Sequence, residues 1–451
     1  MRFELRSLQM SVAAAMVALG LCLPATGQSA PSSAPTTAPA TQAVPTIAAQ
    51  VELIDGAVKE RTIHGWNSSR LVMYRGALYA AITVQDDDAN NRWKDAGLIL
   101  RRQADGKWVE AGRLPNNPDH LMVDPRGRFW VISPSTYNTC EVFRSAPNAD
   151  LSKWELVYNG TCAYNGGSVS PEGNVLILHA ETSKGRPNAV IAAFYDAASD
   201  TWHKSRFETP EGRDGYETII LKGKKALVVV GSSAFPPPEQ AKDPNDVMIS
   251  FGGIKWPKAA TPWRYVRLAA CDDLTQGQWK TRPFIDDAWG ATGLEDAYAT
   301  SDGKLYLLYW HGGGPTKADS EASKGGVYLA KISDDLSADV RKVDMPYRKP
   351  KLLVDSASGR WFLAASQNNE RYLWDLDISD GQFKLDNPRR LEGTQGKLFG
   401  LVTHTLRPQR FGGEEDANRF YLMSTGAVDK TKDKEKNNAL LNIISFEIPK
   451  K

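Results

Sequence analysis

The sequence predicts an all-β fold, a seven-bladed β-propeller of four-stranded antiparallel blades. The first sign is a repeating unit. Between Asp119 and Trp154 an apolar run, Leu121-Met122-Val123, meets the turn Asp124-Pro125-Arg126-Gly127 and a second run, Phe129-Trp130-Val131-Ile132. A third strand around Cys140 to Phe143 and a fourth from Trp154 complete a meander. Short β-branched and aromatic runs broken by Gly, Pro, Asp and Asn are strands joined by hairpins. The second sign is spacing: turn glycines at 76, 127, 173, 223, 303 and 359 stand 51, 46, 50, 80 and 56 residues apart. Aromatics of the outer hairpins keep step at Trp108, Trp154, Trp202 and Trp279. Four strands repeated at about fifty residues make a blade.

The elements follow in order. Arg2 and Arg6 precede an apolar stretch from Met10 to Leu23, and small residues run to Gly27. That pattern is a secretory signal peptide over residues 1–27, with an apolar core too short for a membrane span. Leu19-Gly20-Leu21-Cys22 is a weak match to a lipoprotein box, so the expectation is a secreted or periplasmic protein. Residues 28–50 are mostly Ala, Pro, Thr and Ser, which cannot bury a core and make a disordered linker. The propeller then occupies 51–451. Its inner turns fall at Arg75-Gly76, Arg126-Gly127, Glu172-Gly173, Lys222-Gly223, Asp302-Gly303, Ser358-Gly359 and near Gly412 to Asn418. The one long gap holds a Pro-rich insertion from Phe235 to Pro262, outside the repeat. The run Leu440 to Ile448 and the run Val51 to Ile54 are placed to share one sheet and close the ring.

Composition narrows the class. The chain has 451 residues and a net charge of +2, which gives no footprint for nucleic acid or an anionic membrane. Mean hydropathy is −0.41, and 13 Trp and 15 Tyr supply aromatic surface. Of four Cys, Cys22 is in the leader; Cys140 and Cys162 could pair across neighbouring strands, which spacing leaves open. The sequence has no HExxH, no CxxC and no Asp-rich calcium loop, so neither a metal nor another cofactor is expected. The expected state is a monomer.

Residues just before each inner strand face a shared cavity. Those lead-ins are His64 to Arg70, Asp119-His120, Tyr164 to Gly167, Arg213 to Glu217, Gly293 to Asp296, Lys349 to Lys351, and His404 with Arg407. Three of the six His residues lie there, with several Arg, Tyr and acids. Convergent titratable groups at a channel mouth suit a glycan-cleaving site.

The run His64-Gly65-Trp66-Asn67-Ser68-Ser69-Arg70 followed by Tyr74-Arg75-Gly76-Ala77-Leu78-Tyr79 resembles the first blade of secreted BNR-repeat propellers, among them ulvan lyases and related rhamnosyl-glucuronate lyases. Asp119-His120 before Val123-Asp124-Pro125-Arg126-Gly127 is similar to their second-blade Asp-His motif. Tyr164 before Asn165 resembles their third-blade Tyr, and Tyr216 a later one. The order matches over the first four blades. Two positions depart: Ser133-Pro134-Ser135 stands where the family has a second His, and His179 stands near its Arg.

The resemblance implies a polysaccharide or oligosaccharide substrate and β-elimination next to a uronate. Such chemistry needs an Arg on the uronate carboxylate, a base for the C5 proton and an acid for the leaving oxygen. His120 is the expected base, with His64 as a second imidazole; Tyr164 or Tyr216 is the acid; Arg213 or Arg70 holds the carboxylate. Trp66, Asn67, Asn165, Glu217, Glu295, Asp296 and His404 are the further substrate contacts. Each has a plainer reading, since a His can merely hydrogen-bond a neighbouring blade and an Arg can pair with a buried acid.

Two rival classes stand beside the lyase. Glu217, Glu295, Asp296 and Asp119 could supply the paired carboxylates of a glycoside hydrolase, although the sialidase Arg-Ile-Pro signature is absent from the first blade. A glycan-binding propeller without chemistry would instead use Trp66, Trp263 and Trp310 as stacking platforms.

Overall fold

A computed structural model of the chain describes residues 44–54, 68–84, 96–136, 139–161, 165–181, 189–209, 213–234, 247–251, 254–257, 263–285, 292–312, 325–345, 350–367, 370–379, 383–394, 402–417, 419–425 and 441–448. Two short strands open it, β1 (Thr46–Ile47) and β2 (Ala49–Ile54). Blade one is β3 (Leu71–Tyr74), β4 (Ala77–Val84), β5 (Ala96–Arg102) and β6 (Trp108–Leu114). Blade two is β7 (His120–Val123), β8 (Phe129–Ile132), β9 (Cys140–Ala146) and β10 (Asp150–Gly160). Blade three is β11 (Asn165–Val169), β12 (Val175–Glu181), β13 (Ala189–Asp196) and β14 (Thr201–Glu208).

Blade four takes β15 (Arg213–Lys222) and β16 (Lys225–Ala234), then, after the hairpin β17 (Val247–Phe251) and β18 (Ile254–Pro257), β19 (Trp263–Cys271) and β20 (Trp279–Ile285). The hairpin pairs only with itself, which leaves the Pro-rich insertion outside the four-stranded sheet. Blade five is β21 (Thr292–Ala299), β22 (Leu305–His311), β23 (Gly326–Ile332) and β24 (Ala338–Val343). Blade six is β25 (Lys351–Asp355), β26 (Arg360–Gln367), β27 (Glu370–Asp377) and β28 (Lys384–Leu391). Blade seven is β29 (Val402–Thr405), β30 (Arg419–Thr425) and β31 (Leu441–Glu447), with β2 as its outermost strand. Seven four-stranded antiparallel sheets form the ring. Between β29 and β30 lies a four-residue helix, α1 (Pro408–Phe411).

Burial follows position within the blade. Inner strands are covered on both faces, so Leu71–Tyr74, His120–Val123 and Thr292–Ala299 are buried at every residue. Outer strands alternate or face water, as in Ala338–Val343, where only Val343 is buried. The inner turns need a left-handed residue, and Gly127 shows why only glycine serves. Its φ is +71°, and a Cβ there would sit 2.3 Å from the Tyr74 hydroxyl.

Blades two and three are joined by a buried polar knot. Asp124 accepts from Arg128 Nε at 2.6 Å and from Trp130 Nε1 at 3.0 Å, and Arg128 donates to the Tyr195 hydroxyl at 3.2 Å. The Arg128 and Arg144 guanidinium groups both lie over the Trp130 and Tyr195 rings, at 5.4 to 5.7 Å. Charge and ring area are satisfied together.

The ring closes through its N-terminal strands. β1 runs parallel to the end of β28 in blade six, with Thr46 opposite Arg390. β2 pairs antiparallel with β31 from Ala49–Phe446 to Ile54–Leu441, the closure that the terminal apolar runs predict. Glu52 on β2 then reaches blade one: it accepts from Arg102 Nε and Nη2 at 2.6 to 2.9 Å and from Trp108 Nε1 at 2.9 Å. One carboxylate spans the seam. Glu52→Ala should therefore lower unfolding free energy by about 2 kcal/mol, because it strands a part-buried guanidinium and indole. Glu110→Ala, which breaks only an exposed pair with Arg113, should cost under about 0.5 kcal/mol. Urea titrations compare the two; equal midpoints would remove the clasp from the account.

Candidate functional site at the lead-in mouth

The bore has one closed end. Where six blades turn tightly from first to second strand, blade seven inserts residues 406–417, and this segment crosses the ring. Gly412 packs so close to blade two that a Cβ would lie 1.8 Å from the Val123 carbonyl, and its φ is +71°. Glu414 N donates to Met73 O at 2.8 Å, and the Glu414 carboxylate accepts from Arg75 N and Gly76 N at 2.8 Å each. Ser168 of blade three donates to Arg410 O at 2.7 Å, and Arg410 Nε donates to Ile219 O of blade four at 3.2 Å. Arg407 pairs with Asp296 of blade five and donates to Leu352 O of blade six. The plug thus touches each of the other six blades at the inner-turn end, and the residues that precede the inner strands lie at the opposite end.

Several predicted contacts change place. Arg407 lies beyond β29 in the plug, at the closed end, because the chain extends past the strand before turning. Asp296 sits mid-strand at a register shift in β21. It accepts from Ala297 N at 2.9 Å and Leu352 N at 2.8 Å besides holding Arg407. Such a carboxylate is fully engaged by protein and is not presented to a ligand. Glu295 is 5% exposed, and its carbonyl takes Lys351 Nζ at 2.5 Å. His404 is buried on the seam between blades one and seven, where its Nδ1 donates to Ser68 O at 3.0 Å. Trp310 is partly buried against Gly312 and Gly325.

The structure does bring together Arg70, Asp119, His120 and Asn165, from three consecutive blades. Leu121 N donates to Ser69 O at 2.9 Å, which sets blade two beside blade one. Asn165 Nδ2 donates to Asp119 Oδ2 at 3.1 Å, and His120 Nε2 lies 3.4 Å from Asn165 O. A carbonyl can only accept, so Nε2 carries the proton and Nδ1 keeps its lone pair. Nδ1 is buried and has no partner among the described residues. His64, Trp66, Asn67 and Tyr164 fall outside the described residues, as does the Cys140–Cys162 pairing through Cys162. Of Arg213, Tyr216 and Glu217 only the backbone is described, at the start of β15.

Burial dominates the electrostatics. The Arg70 guanidinium is fully buried, donates to Thr83 Oγ1 at 3.2 Å, and is lowered to about 10 by burial against the pull of Asp119. Asp119 is pushed up to about 6 by burial, with Arg70 and Asn165 opposing. His120 is driven down to about 3 by burial and then by the Arg410 charge. It is neutral across the physiological range.

Sequence reasoning did not select His179 as a site residue. It stands opposite Asn165 in the β11–β12 ladder, and its Nε2 meets the Tyr158 hydroxyl at 2.9 Å. Burial lowers it to about 4 and raises Tyr158. The available signal was register: a His at the end of a second strand lies level with the lead-in of the first. Among the described residues no group of three or more His, Cys, Asp or Glu is placed to hold a metal, and no helix is long and apolar enough to cross a membrane.

These shifts set a pH dependence. As pH falls below 6.5, the unfolded chain gains protons on His120 and His179 that the folded protein refuses, so stability falls. Asp119 acts oppositely: between about 6 and 3.8 its folded carboxyl keeps a proton that the unfolded chain releases. Two histidines against one aspartate leave a net uptake of roughly one proton on unfolding between pH 6 and 4, a slope of about 1.4 kcal/mol per pH unit. Urea unfolding across that window measures it. A His120→Gln, His179→Gln double variant should flatten or reverse the slope, and an unchanged slope would refute the assignment.

No protein-family model matches the chain, and no curated protein matches it in sequence. Among solved structures it is similar to the polysaccharide lyase Uly1, at 11% identity and a TM-score of 0.53 over 89% of this chain and 98% of that one. It is equally similar to a PL25 ulvan lyase, solved both alone and bound to -[GlcA(1-4)Rha3S]-, at 11% identity and a TM-score of 0.55 over 86% of this chain and 95% of that one. The blade count and the near-complete coverage place the chain with these lyases in fold: it is a seven-bladed β-propeller of their architecture.

Proposed function

We propose that this chain is an exported carbohydrate-active enzyme that cleaves a uronate-containing polysaccharide by β-elimination at the lead-in mouth. The leader at 1–27 would carry it out of the cytoplasm. The observation that bears most weight is His120, held in one tautomer by the Asn165 carbonyl with Nδ1 unpartnered. A neutral imidazole with a directed lone pair is the form that accepts a proton. In the reaction, the base takes the C5 proton, the C4–O bond breaks, a C4=C5 double bond forms, and the leaving oxygen gains a proton from an acid. Tyr164 or Tyr216 is assigned as that acid.

Arg70 is reassigned from the carboxylate to a positioning role. It is fully buried and engaged with Thr83 and Asp119, so Arg213 is the better partner for the substrate anion. The low proton affinity of His120 is compatible with this chemistry. An arriving uronate carboxylate would offset the Arg410 and Arg70 charges that add to the effect of burial, which recovers part of the basicity when substrate is bound. Both neighbours of like fold are called lyases, which favours this reading over others. The hydrolase reading loses Asp296 from its carboxylate pair, since Arg407 holds it.

Purified protein incubated with a panel of uronate-rich polysaccharides should generate ultraviolet absorbance from the unsaturated product. His120→Ala should lower that rate by about two to four decades, and His120→Gln, which keeps most of the volume of this buried side chain, should do so with less change in the thermal midpoint. Cleavage with no ultraviolet signal, abolished by Glu217→Gln, would make the chain a hydrolase. Binding without turnover, lost in Trp66→Ala, would make it a lectin-like module.

A further inference from the structure

A groove of about 290 Å³ lies on the outer rim between blades five and six. We infer that it is a second glycan subsite, which takes a neutral, unsulfated sugar unit; as an aid to polymer cleavage it rests on the lyase reading. The floor is apolar and comes from two blades. Met345, just past β24, is buried, and Trp374 of β27 and Leu385 of β28 are half-buried beside it. Pro388 forms a further wall. The rim is polar: Asp344, Asp386 and Asn387 are exposed around that floor.

The backbone is shaped to keep this groove open. Between Asp386 and Arg389 the outer strand of blade six breaks register with β27, and Asn387 adopts a left-handed φ of +50°. A bulge built on a left-handed non-glycine residue costs energy and re-aims the strand. The clasp strand β1 pairs only with Arg390 and Leu391, so it stops short of the bulge. The groove runs along the depth of the rim: Asp344 and Met345 follow β24 at the lead-in end, while Leu385 and Asp386 are level with Val354 and Leu353 toward the inner turns. Three strand spacings put it about 14 Å outward from the inner strands.

Chemistry selects the occupant. An indole with flanking aliphatic side chains matches the C–H face of a pyranose ring, and carboxylates and an amide accept or donate to ring hydroxyls. Asp344 has no ion-pair partner among the described residues, and Asp386 meets only the exposed Lys384, at 2.9 Å. An acidic rim repels a uronate or a sulfate ester and tolerates an uncharged sugar.

Isothermal titration of the full chain with gluco-, xylo-, manno- and galacto-hexaoses tests this, with hexagalacturonate as the acidic control. At least one neutral series should bind, and Trp374→Ala should weaken it roughly ten-fold or more while Trp374→Phe keeps most of the affinity. No binding by any neutral series, or wild-type affinity in Trp374→Ala, overturns the subsite. If Trp374→Ala fails to fold, the exposed double variant Asp344→Ala, Asp386→Ala decides, and unchanged affinity again overturns it. Absence of unsaturated product from every polymer would sink the lyase reading alone, because the titration judges the groove independently.

Discussion

The ion pair of Arg407 with Asp296 fixes the arrangement on which the rest depends. A guanidinium and a carboxylate buried inside a ring are stable only when both are fully hydrogen-bonded. Here Asp296 also receives two backbone amides, and Arg407 also donates to the carbonyls of Leu352 and Leu406. The pair nails one short segment to blades five and six. From that anchor Arg410 reaches blade four, Gly412 presses on blade two and Glu414 caps the inner turn of blade one. A propeller with an open bore would offer two faces to a ligand. Here the plug occupies the inner-turn end, and the proposed site lies at the other.

The blades were legible because their signal is local. An inner turn requires a left-handed residue, and glycine at 76, 127, 173, 223, 303 and 359 provides it at each one. Strand identity is equally local, since both faces of an inner strand are covered and most of its residues are apolar, as in Leu71–Tyr74. The closing of the ring by β2 was readable too, as an unpaired apolar run at each end of the repeat needs a partner. The plug was not readable. Gly412 to Asn418 looks like one more turn, and four helical residues have no periodicity to detect.

The same limit governs the site. Asp119, His120 and Asn165 stand at or just before the first residue of an inner strand, so chain position alone decides which end of the bore they occupy. Asp296 and Arg407 were misplaced because that rule fails by a few residues: β21 begins at Thr292, so Asp296 is already inside the strand, and β29 ends at Thr405, so Arg407 is past it. His179 is the converse case. It closes a second strand, and only the pairing register with Asn165 brings it level with the mouth. A sequence reveals which strand a residue joins more readily than how far along it the residue stands.

The polar groups around His120, from the first two blades and from the plug, pull against one another. Arg70 and Arg410 are each lowered to about 10 by burial, yet they remain charged, because a guanidinium at that value still holds its proton at neutral pH. Burial keeps His120 neutral, and the charges of Arg410 and Arg70 add to the cost of protonating it. Asp119, raised to about 6, only partly compensates them. An anion placed near Arg70 and Arg410 would lower the electrostatic energy of those guanidinium groups and part of the cost of protonating His120 together. Through those charges the proposed substrate would couple its own binding to the strength of the base.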